Sequence, residues 1–128
     1  MDEGIKGKQI MVVDDESDIT LFVKISLESH GLVVDTFNEP NEALSSFKSN
    51  YYDLVIIDLK MPEIDGFELY REIKKRDPAV KACFLTASEL YHKEFRDEEY
   101  ITLDNELFIR KPIENEELIK KIKRLVTN

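Results

Sequence analysis

The sequence contains a single cysteine, four glycines and four prolines in 128 residues. One cysteine cannot form an internal disulfide, so folding does not depend on an oxidising compartment. So little glycine and proline, combined with 42% hydrophobic residues, excludes collagen-like and low-complexity chains and predicts a packed core. Because the length is close to the roughly 150 residues typical of one domain, we expect a single domain over residues 1–128.

Long apolar runs and an excess of positive charge are also missing. The longest apolar runs, such as 10–13 and 54–57, have four residues, far fewer than the ~20 that span a bilayer. The polar start, residues 1–8, leads into no apolar segment of the kind found in signal peptides. The 27 acidic and 18 basic residues give a net charge of -9, which disfavours direct binding to nucleic acid or anionic membranes. We therefore expect a cytoplasmic protein without membrane insertion.

Short β-branched runs alternate with longer segments of helical spacing, a pattern typical of a parallel sheet flanked by helices. The predicted strands are residues 9–13, 32–37, 54–57, 81–85 and 107–109. Three of these runs are almost continuously apolar, as expected for strands covered on both faces. We predict a doubly wound, flavodoxin-like α/β fold with a five-stranded parallel sheet in the order 2-1-3-4-5 and five flanking helices.

Apolar residues three and four positions apart predict the helices between these strands. The marker residues are Ile19, Phe22, Val23 and Leu27 in the first helix, Asn38 and Pro40 at the start of the second, Gly66 to Arg76 for the third, and Leu118, Ile122 and Leu125 in the last. Gly31 is a typical stop for the first helix, and Asp77 before Pro78 for the third. A weaker helix is predicted to begin at Ser88, whereas residues 96–105 show no helical period.

Polar residues stand at the carboxyl ends of the predicted strands. Asp14 and Asp15 directly follow the first strand, and Asp58 follows the third. Thr86 follows the fourth strand, and Lys111 lies two residues past the fifth. Strands one and three are neighbours in the predicted order, so Asp15 and Asp58 should face each other at one edge of the sheet. Crowded carboxylates repel one another unless a cation binds, and an all-oxygen site suits Mg²⁺ or Mn²⁺ better than zinc.

The same edge also carries groups that hold phosphate oxygens. The Thr86 hydroxyl and the Lys111 ammonium could surround a phosphoryl group together with the metal, and Asp58 could attack it to form an acyl phosphate. Each residue also has a plainer interpretation. Asp14 and Asp15 could cap the first helix, Thr86 could be a strand-end hydroxyl, and Lys111 could be a loop cation. Their occurrence together favours a phosphoryl-transfer site.

Four motifs resemble the receiver domain of two-component response regulators, the CheY-like family. These motifs are Val12-Val13-Asp14-Asp15, Asp58-Leu59-Lys60-Met61-Pro62-Glu63-Ile64-Asp65-Gly66, Leu85-Thr86-Ala87 and Lys111-Pro112. The resemblance covers essentially the whole chain. It implies that Asp58 is the phosphoacceptor and that the metal ligands are Asp14, Asp15, Asp58 and the backbone carbonyl of Lys60.

The resemblance also assigns roles at the fourth and fifth strands. It implies that Thr86 and Lys111 contact the phosphoryl group and that the peptide bond between Lys111 and Pro112 is cis. Phe108 matches the family's switch aromatic, whose rotamer accompanies movement of Thr86, although an aromatic residue in a short strand is equally well explained as core. Lys60 occupies a position that tunes dephosphorylation in the family. Asp65 and Gly66 are predicted to form only a turn and a helix start.

The function implied is a signalling switch rather than an enzyme, with catalysis limited to the protein's own phosphorylation and dephosphorylation. The donor would be a sensor histidine kinase or a histidine phosphotransfer protein, and phosphorylation with Mg²⁺ would shift the face formed by the fourth helix, fifth strand and fifth helix. The target would be a downstream protein or an output domain outside this sequence, with the chain monomeric or forming a phosphorylation-dependent dimer. Two alternatives are a Mg²⁺-dependent aspartyl-phosphate phosphatase, which Lys60 disfavours, and an unphosphorylated pseudo-receiver.

Overall fold

The computed structural model describes residues 3–87 and 107–127. Its strands are β1 (Gln9–Val13), β2 (Val33–Phe37), β3 (Leu54–Asp58), β4 (Ala82–Thr86) and β5 (Phe108–Arg110), and its helices are α1 (Ser17–Glu28), α2 (Pro40–Ser46), α3 (Gly66–Arg76) and α4 (Asn115–Thr127). All neighbouring strands pair in parallel, in the order β2-β1-β3-β4-β5. The predicted fold class is confirmed. The helix predicted from Ser88 falls within residues 88–106, outside the described residues.

The sheet separates two apolar clusters, because side chains along a strand point alternately to its two faces. Met11 and Val13 of β1 lie in the cluster beneath α2 and α3. Ile10 and Val12 lie in the cluster beneath α1 and α4. Both β3 and β4 are buried at all five positions, which explains their nearly continuous apolar sequence. Cys83 is one of these buried residues, as its place in the strand predicted.

The ends of α1 and α3 agree with the predicted stop signals. Beyond α1 the chain turns at Gly31, whose φ of 90° lies in the left-handed region that glycine adopts readily. At the start of α3, the carboxylate of Asp65 accepts a hydrogen bond from Glu68 N at 2.9 Å, which satisfies an otherwise unpaired helix amide. The helix ends at Arg76, immediately before Asp77. These local rules therefore fix both ends of α3.

The start of α2 differs from the prediction. Pro40 is the first helical residue, as predicted, but Glu39 rather than Asn38 occupies the cap position. The Asn38 amide is used elsewhere, since it donates to the Asp14 carbonyl at 2.8 Å and to Thr20 Oγ1 at 3.0 Å. Asn38 thus links the ends of β1 and β2 to α1.

Within the described ranges, none of the helices combines the length and the hydropathy that crossing a bilayer would require.

Candidate functional site

The predicted site residues converge at the carboxyl edge of the sheet. Asp14 directly follows β1, Asp58 is the last residue of β3, and Thr86 is the last residue of β4. All three are buried, with relative exposures of 0%, 4% and 3%. Lys111 directly follows β5, and its backbone amide donates to the Thr86 carbonyl at 2.8 Å. The parallel sheet therefore brings together residues that are up to 97 positions apart, since Asp14 and Lys111 are numbered 14 and 111.

The Lys111 ammonium is the only positive charge that the described residues bring to these acids. Its Nζ lies 3.0 Å from Asp14 Oδ2, 3.0 Å from Glu16 Oε1 and 3.4 Å from Asp58 Oδ1. The Lys111 side chain is 13% exposed, so these contacts are made largely away from water. The peptide bond between Lys111 and Pro112 is cis, as predicted. One ammonium thus faces three carboxylates, and the site keeps an excess of negative charge.

Burial and crowding change the proton affinity of these groups. Burial, and then the nearby Asp14 carboxylate, raise the pKa of Asp58 to about 7, although Lys111 opposes the shift. Burial also raises the pKa of Asp14, against the opposing hydrogen bond from Glu16 N. Burial would lower the pKa of Lys111, but its contacts with Asp14 and Glu16 outweigh that effect and raise it above the ordinary value. The contacts of Lys111 therefore favour its charged form, whereas burial and the neighbouring Asp14 favour the protonated form of Asp58.

The acids fit a hard divalent cation. Asp14 Oδ2 forms an ion pair with Lys111 Nζ at 3.0 Å, but this buried carboxylate oxygen accepts no hydrogen bond. Carboxylate oxygens of Asp14, Asp15 and Glu16 lie within 4.8 Å of one another. Oxygen donors of this kind suit Mg²⁺ or Mn²⁺. The metal-ligand roles of Asp14, Asp58, the exposed Asp15 and the Lys60 carbonyl all stay predictions.

Backbone contacts hold Asp14 in place. Its amide donates to the Phe37 carbonyl at 3.1 Å, its carbonyl accepts from Asn38 at 2.8 Å, and its Oδ1 accepts from Glu16 N at 2.9 Å. The cap position of α1 is Glu16, so the simpler interpretation of Asp14 and Asp15 as the capping pair does not hold. Asp14 instead shapes the turn that precedes the helix.

Two residues near Asp58 have contacts that the sequence did not indicate. Glu16 contacts Lys111 across 95 positions of sequence, and its place after an acidic pair was the only available signal. At Gly66, a Cβ atom would lie 2.5 Å from the Asp58 carbonyl oxygen and 2.8 Å from Leu59 Cα. Gly66 starts α3 as predicted, but it also lets the helix approach the backbone that follows the predicted phosphoacceptor.

Phe108 lies in the core beside β4. It is 7% exposed, and its ring centroid is 5.6 Å from that of Phe84. Phe84 in turn lies 5.1 Å from Phe67 of α3. This position agrees with a core residue and with an inward switch rotamer alike, so the switch role of Phe108 stays a prediction. The same holds for a contact between the Thr86 hydroxyl and a phosphoryl group.

The family comparison agrees with the four motifs. Residues 10–123 match the family model described as the response regulator receiver domain, which confirms the resemblance predicted from the sequence. The response regulator ArlR of Staphylococcus aureus is 30% identical over 122 residues, which cover 92% of this chain and 52% of ArlR. The chain therefore spans about half the length of the curated relatives that it matches.

Solved structures show the same fold. The non-phosphorylated HemR receiver domain from Leptospira biflexa has a TM-score of 0.81 and 27% identity, covering 94% of this chain and 95% of its own. TrrA from Thermotoga maritima, in complex with Mg²⁺-BeF, has a TM-score of 0.75 and 36% identity, covering 92% and 98%. TrrA in complex with the histidine kinase ThkA has a TM-score of 0.75 and 38% identity, covering 92% and 97%.

Proposed function

Because this chain belongs to the response regulator receiver domain family, we propose that Asp58 accepts a phosphoryl group in the presence of Mg²⁺ and that the protein acts as a two-component signalling switch. The observation that carries this proposal is the contact of one ammonium, Lys111, with Asp58 and Asp14 at the carboxyl edge of the sheet. Such an edge is where ligands bind in parallel α/β sheets.

The side chains supply the parts of an in-line phosphoryl transfer. A carboxylate oxygen of Asp58 attacks phosphorus, a new O–P bond forms, and the bond from phosphorus to the donor atom breaks, with its electron pair leaving on the donor. Lys111 neutralises negative charge on the transferring group. Bound Mg²⁺, held by Asp14, Asp15, Asp58 and the Lys60 carbonyl, would add positive charge at the phosphoryl oxygens.

The switch requires a conformation that binds the phosphoryl group more favourably than its alternative does. Lys111 directly follows β5, and its amide bonds to Thr86 at the end of β4. A new contact from either side chain to a phosphoryl group would therefore act at the junction of these two strands. We place the responding face at β5 and α4, with Thr86 and Phe108 as the coupling residues. Residues 88–106, where the predicted fourth helix falls, are outside the described structure.

Mass spectrometry after incubation with acetyl phosphate and Mg²⁺ tests the proposal. The parent protein should gain one phosphate, and EDTA should prevent the gain. Asp58→Asn should gain none, because an amide oxygen cannot form the acyl phosphate. Asp53→Asn is the matched control, because Asp53 lies just before the first residue of β3, at the other end of the strand from Asp58. Its carboxylate accepts a hydrogen bond from Gln9 N. This variant should gain one phosphate, as the parent does. An unmodified parent would contradict the proposed function.

We propose a histidine kinase or a histidine phosphotransfer protein as the donor. A structure of TrrA in complex with the histidine kinase ThkA supports this choice. In this chain α1 begins beside the acids, and its Leu21 and Ile25, one turn apart, are 57% and 61% exposed. A donor that reaches Asp58 would cover these side chains. Ile25→Ser should slow labelling by phosphorylated histidine kinases of the same organism while leaving acetyl phosphate labelling unchanged; equal rates for parent and variant would count against this surface.

A phosphatase is disfavoured by the residue two positions after Asp58. Lys60 is exposed there, where an acid would be needed to protonate the leaving group. We expect no steady turnover of phosphomonoesters. The pseudo-receiver alternative is disfavoured because the acids and Lys111 converge as phosphorylation requires. The cytoplasmic location, the single-domain organisation and the oligomeric state stay predictions, as does the downstream target.

A further inference from the structure

Glu16 is the cap residue of α1, yet its side chain makes no hydrogen bond to the helix. The cap position normally uses a side-chain oxygen to accept from a free helix amide. Here the Glu16 carboxylate extends across the site instead, where Oε1 accepts from Lys111 Nζ at 3.0 Å. The Glu16 side chain thus bonds to the Lys111 ammonium and not to the backbone amides of α1.

The three carboxylates around Lys111 differ in exposure. The side chains of Asp14 and Asp58 are 0% and 5% exposed, whereas that of Glu16 is 60% exposed. Glu16 is therefore the solvent-side partner of Lys111. Lys111 Nζ is also closer to Glu16, at 3.0 Å, than to Asp58, at 3.4 Å.

A phosphoryl group on Asp58 would enter this arrangement as a further anion. It brings about -1.5 to -2 charges near neutral pH, and the neighbouring Lys111 is the cation it would contact. Glu16 already accepts a hydrogen bond from this ammonium, and Glu16 and Asp14 both form ion pairs with it at 3.0 Å. A phosphoryl group on Asp58 would therefore share the single positive charge of Lys111 with the Glu16 carboxylate.

We propose that Glu16 is a positioning residue that competes with the phosphoryl group for the Lys111 ammonium and so limits how tightly the site holds a phosphoryl group on Asp58. This inference rests on the proposed function of Asp58. The negative charge of Glu16 is not needed to form the bond between Asp58 and phosphorus. Neutralising Glu16 should therefore make the site hold a phosphoryl group more tightly, whereas removing a metal ligand would make it hold the group less tightly.

Calorimetric titration of the full chain with beryllium fluoride at saturating Mg²⁺ tests the competition. Glu16→Gln should bind beryllium fluoride about two- to five-fold more tightly than the parent, the range expected for an ion pair with one exposed partner. The gain should shrink as KCl is added, because salt screens an exposed charge. Asp18→Asn is the matched control, since it removes one exposed acid from the first turn of the same helix; its affinity should equal that of the parent.

Titration with Mg²⁺ alone separates this role from metal binding. The proposal requires Glu16→Gln and the parent to bind Mg²⁺ with similar affinity. A loss of about tenfold or more, as when a group supporting a metal is removed, would assign Glu16 to the cation and overturn the proposal. An equal gain in Asp18→Asn would also overturn it, since the effect would then be one of general charge. If the parent binds no beryllium fluoride and acetyl phosphate leaves it unmodified, the proposed function itself fails.

Discussion

Asp58 and Asp77 are two acids with almost the same burial, 4% and 5% exposed, at opposite edges of the sheet. Asp77 follows α3 and accepts from two backbone amides, Asn50 N at 2.9 Å and Ala79 N at 3.2 Å. Asp58 instead lies 3.4 Å from the Lys111 ammonium, which is closer to two other carboxylates, those of Asp14 and Glu16. The two backbone amides hold the Asp77 carboxylate in a structural role. The Asp58 carboxylate, which shares one ammonium with two other acids, can still bind an incoming ligand.

The pH dependence of stability should show this contrast most strongly. The pKa of Asp58 is raised from 3.8 to about 7, so the folded protein binds this proton more tightly than the unfolded chain does. Stability should therefore fall as the pH rises from about 4 to about 7, by at most about 1.4 kcal/mol per pH unit from this group. Urea unfolding in Mg²⁺-free buffer should show a flatter pH profile for Asp58→Asn than for the parent. If stability changes with pH in the same way in the parent and in Asp58→Asn, the pKa of Asp58 is not raised in the folded protein.

The opposite result is expected at Asp77. Asp77→Ala leaves the amides of Asn50 and Ala79 without their acceptors, and we expect a loss of about 2–3 kcal/mol in the free energy of unfolding. Asp77→Asn keeps one acceptor oxygen and should lose less. Both variants should be phosphorylated as the parent is under conditions where they remain folded. Urea unfolding at neutral pH measures the loss, and a variant as stable as the parent would show that these two bonds contribute little.

A smaller loss of stability is expected at Gly66, where α3 packs against the backbone of Asp58. In Gly66→Ala the new methyl group would lie 2.5 Å from the Asp58 carbonyl oxygen, and the backbone must shift to relieve it. We expect a loss of roughly 1–2 kcal/mol and slower labelling by acetyl phosphate. Gly4→Ala is the control, because its methyl group would make only an ordinary contact, 3.9 Å from Thr127 Cγ2. If both variants match the parent in thermal unfolding, the close approach of α3 is not a constraint.

The strand order and the convergence of the predicted site could be derived from sequence because they follow from local patterns. Buried runs such as residues 54–57 define strands, and the parallel α/β arrangement then places Asp14, Asp58 and Lys111 at one edge. The turn at Gly31 beyond α1 and the end of α3 before Asp77 likewise follow from local backbone preferences. These features depend on residue type and spacing alone.

The remaining features depend on distances across the folded chain. Asn38 belongs to a typical helix start in sequence, but its amide reaches Asp14 and Thr20, 24 and 18 positions away. Glu16 contacts Lys111 only because β1 and β5 end at the same edge of the sheet. The need for glycine at Gly66 arises from the backbone of Asp58, which the spacing of eight residues does not reveal. Contacts of this kind are fixed by packing, and no local pattern encodes them.

The order in which the strands occur along the chain determines when this site can exist. Lys111 follows β5, the last of the described strands, and contacts Glu16 across 95 positions. A nascent polypeptide whose fifth strand is still inside the ribosome has its acids but not its ammonium. On the proposed function, a chain could accept a phosphoryl group only after Lys111 has left the ribosome and packed beside the acids, so partly synthesised chains could not respond to a phosphoryl donor.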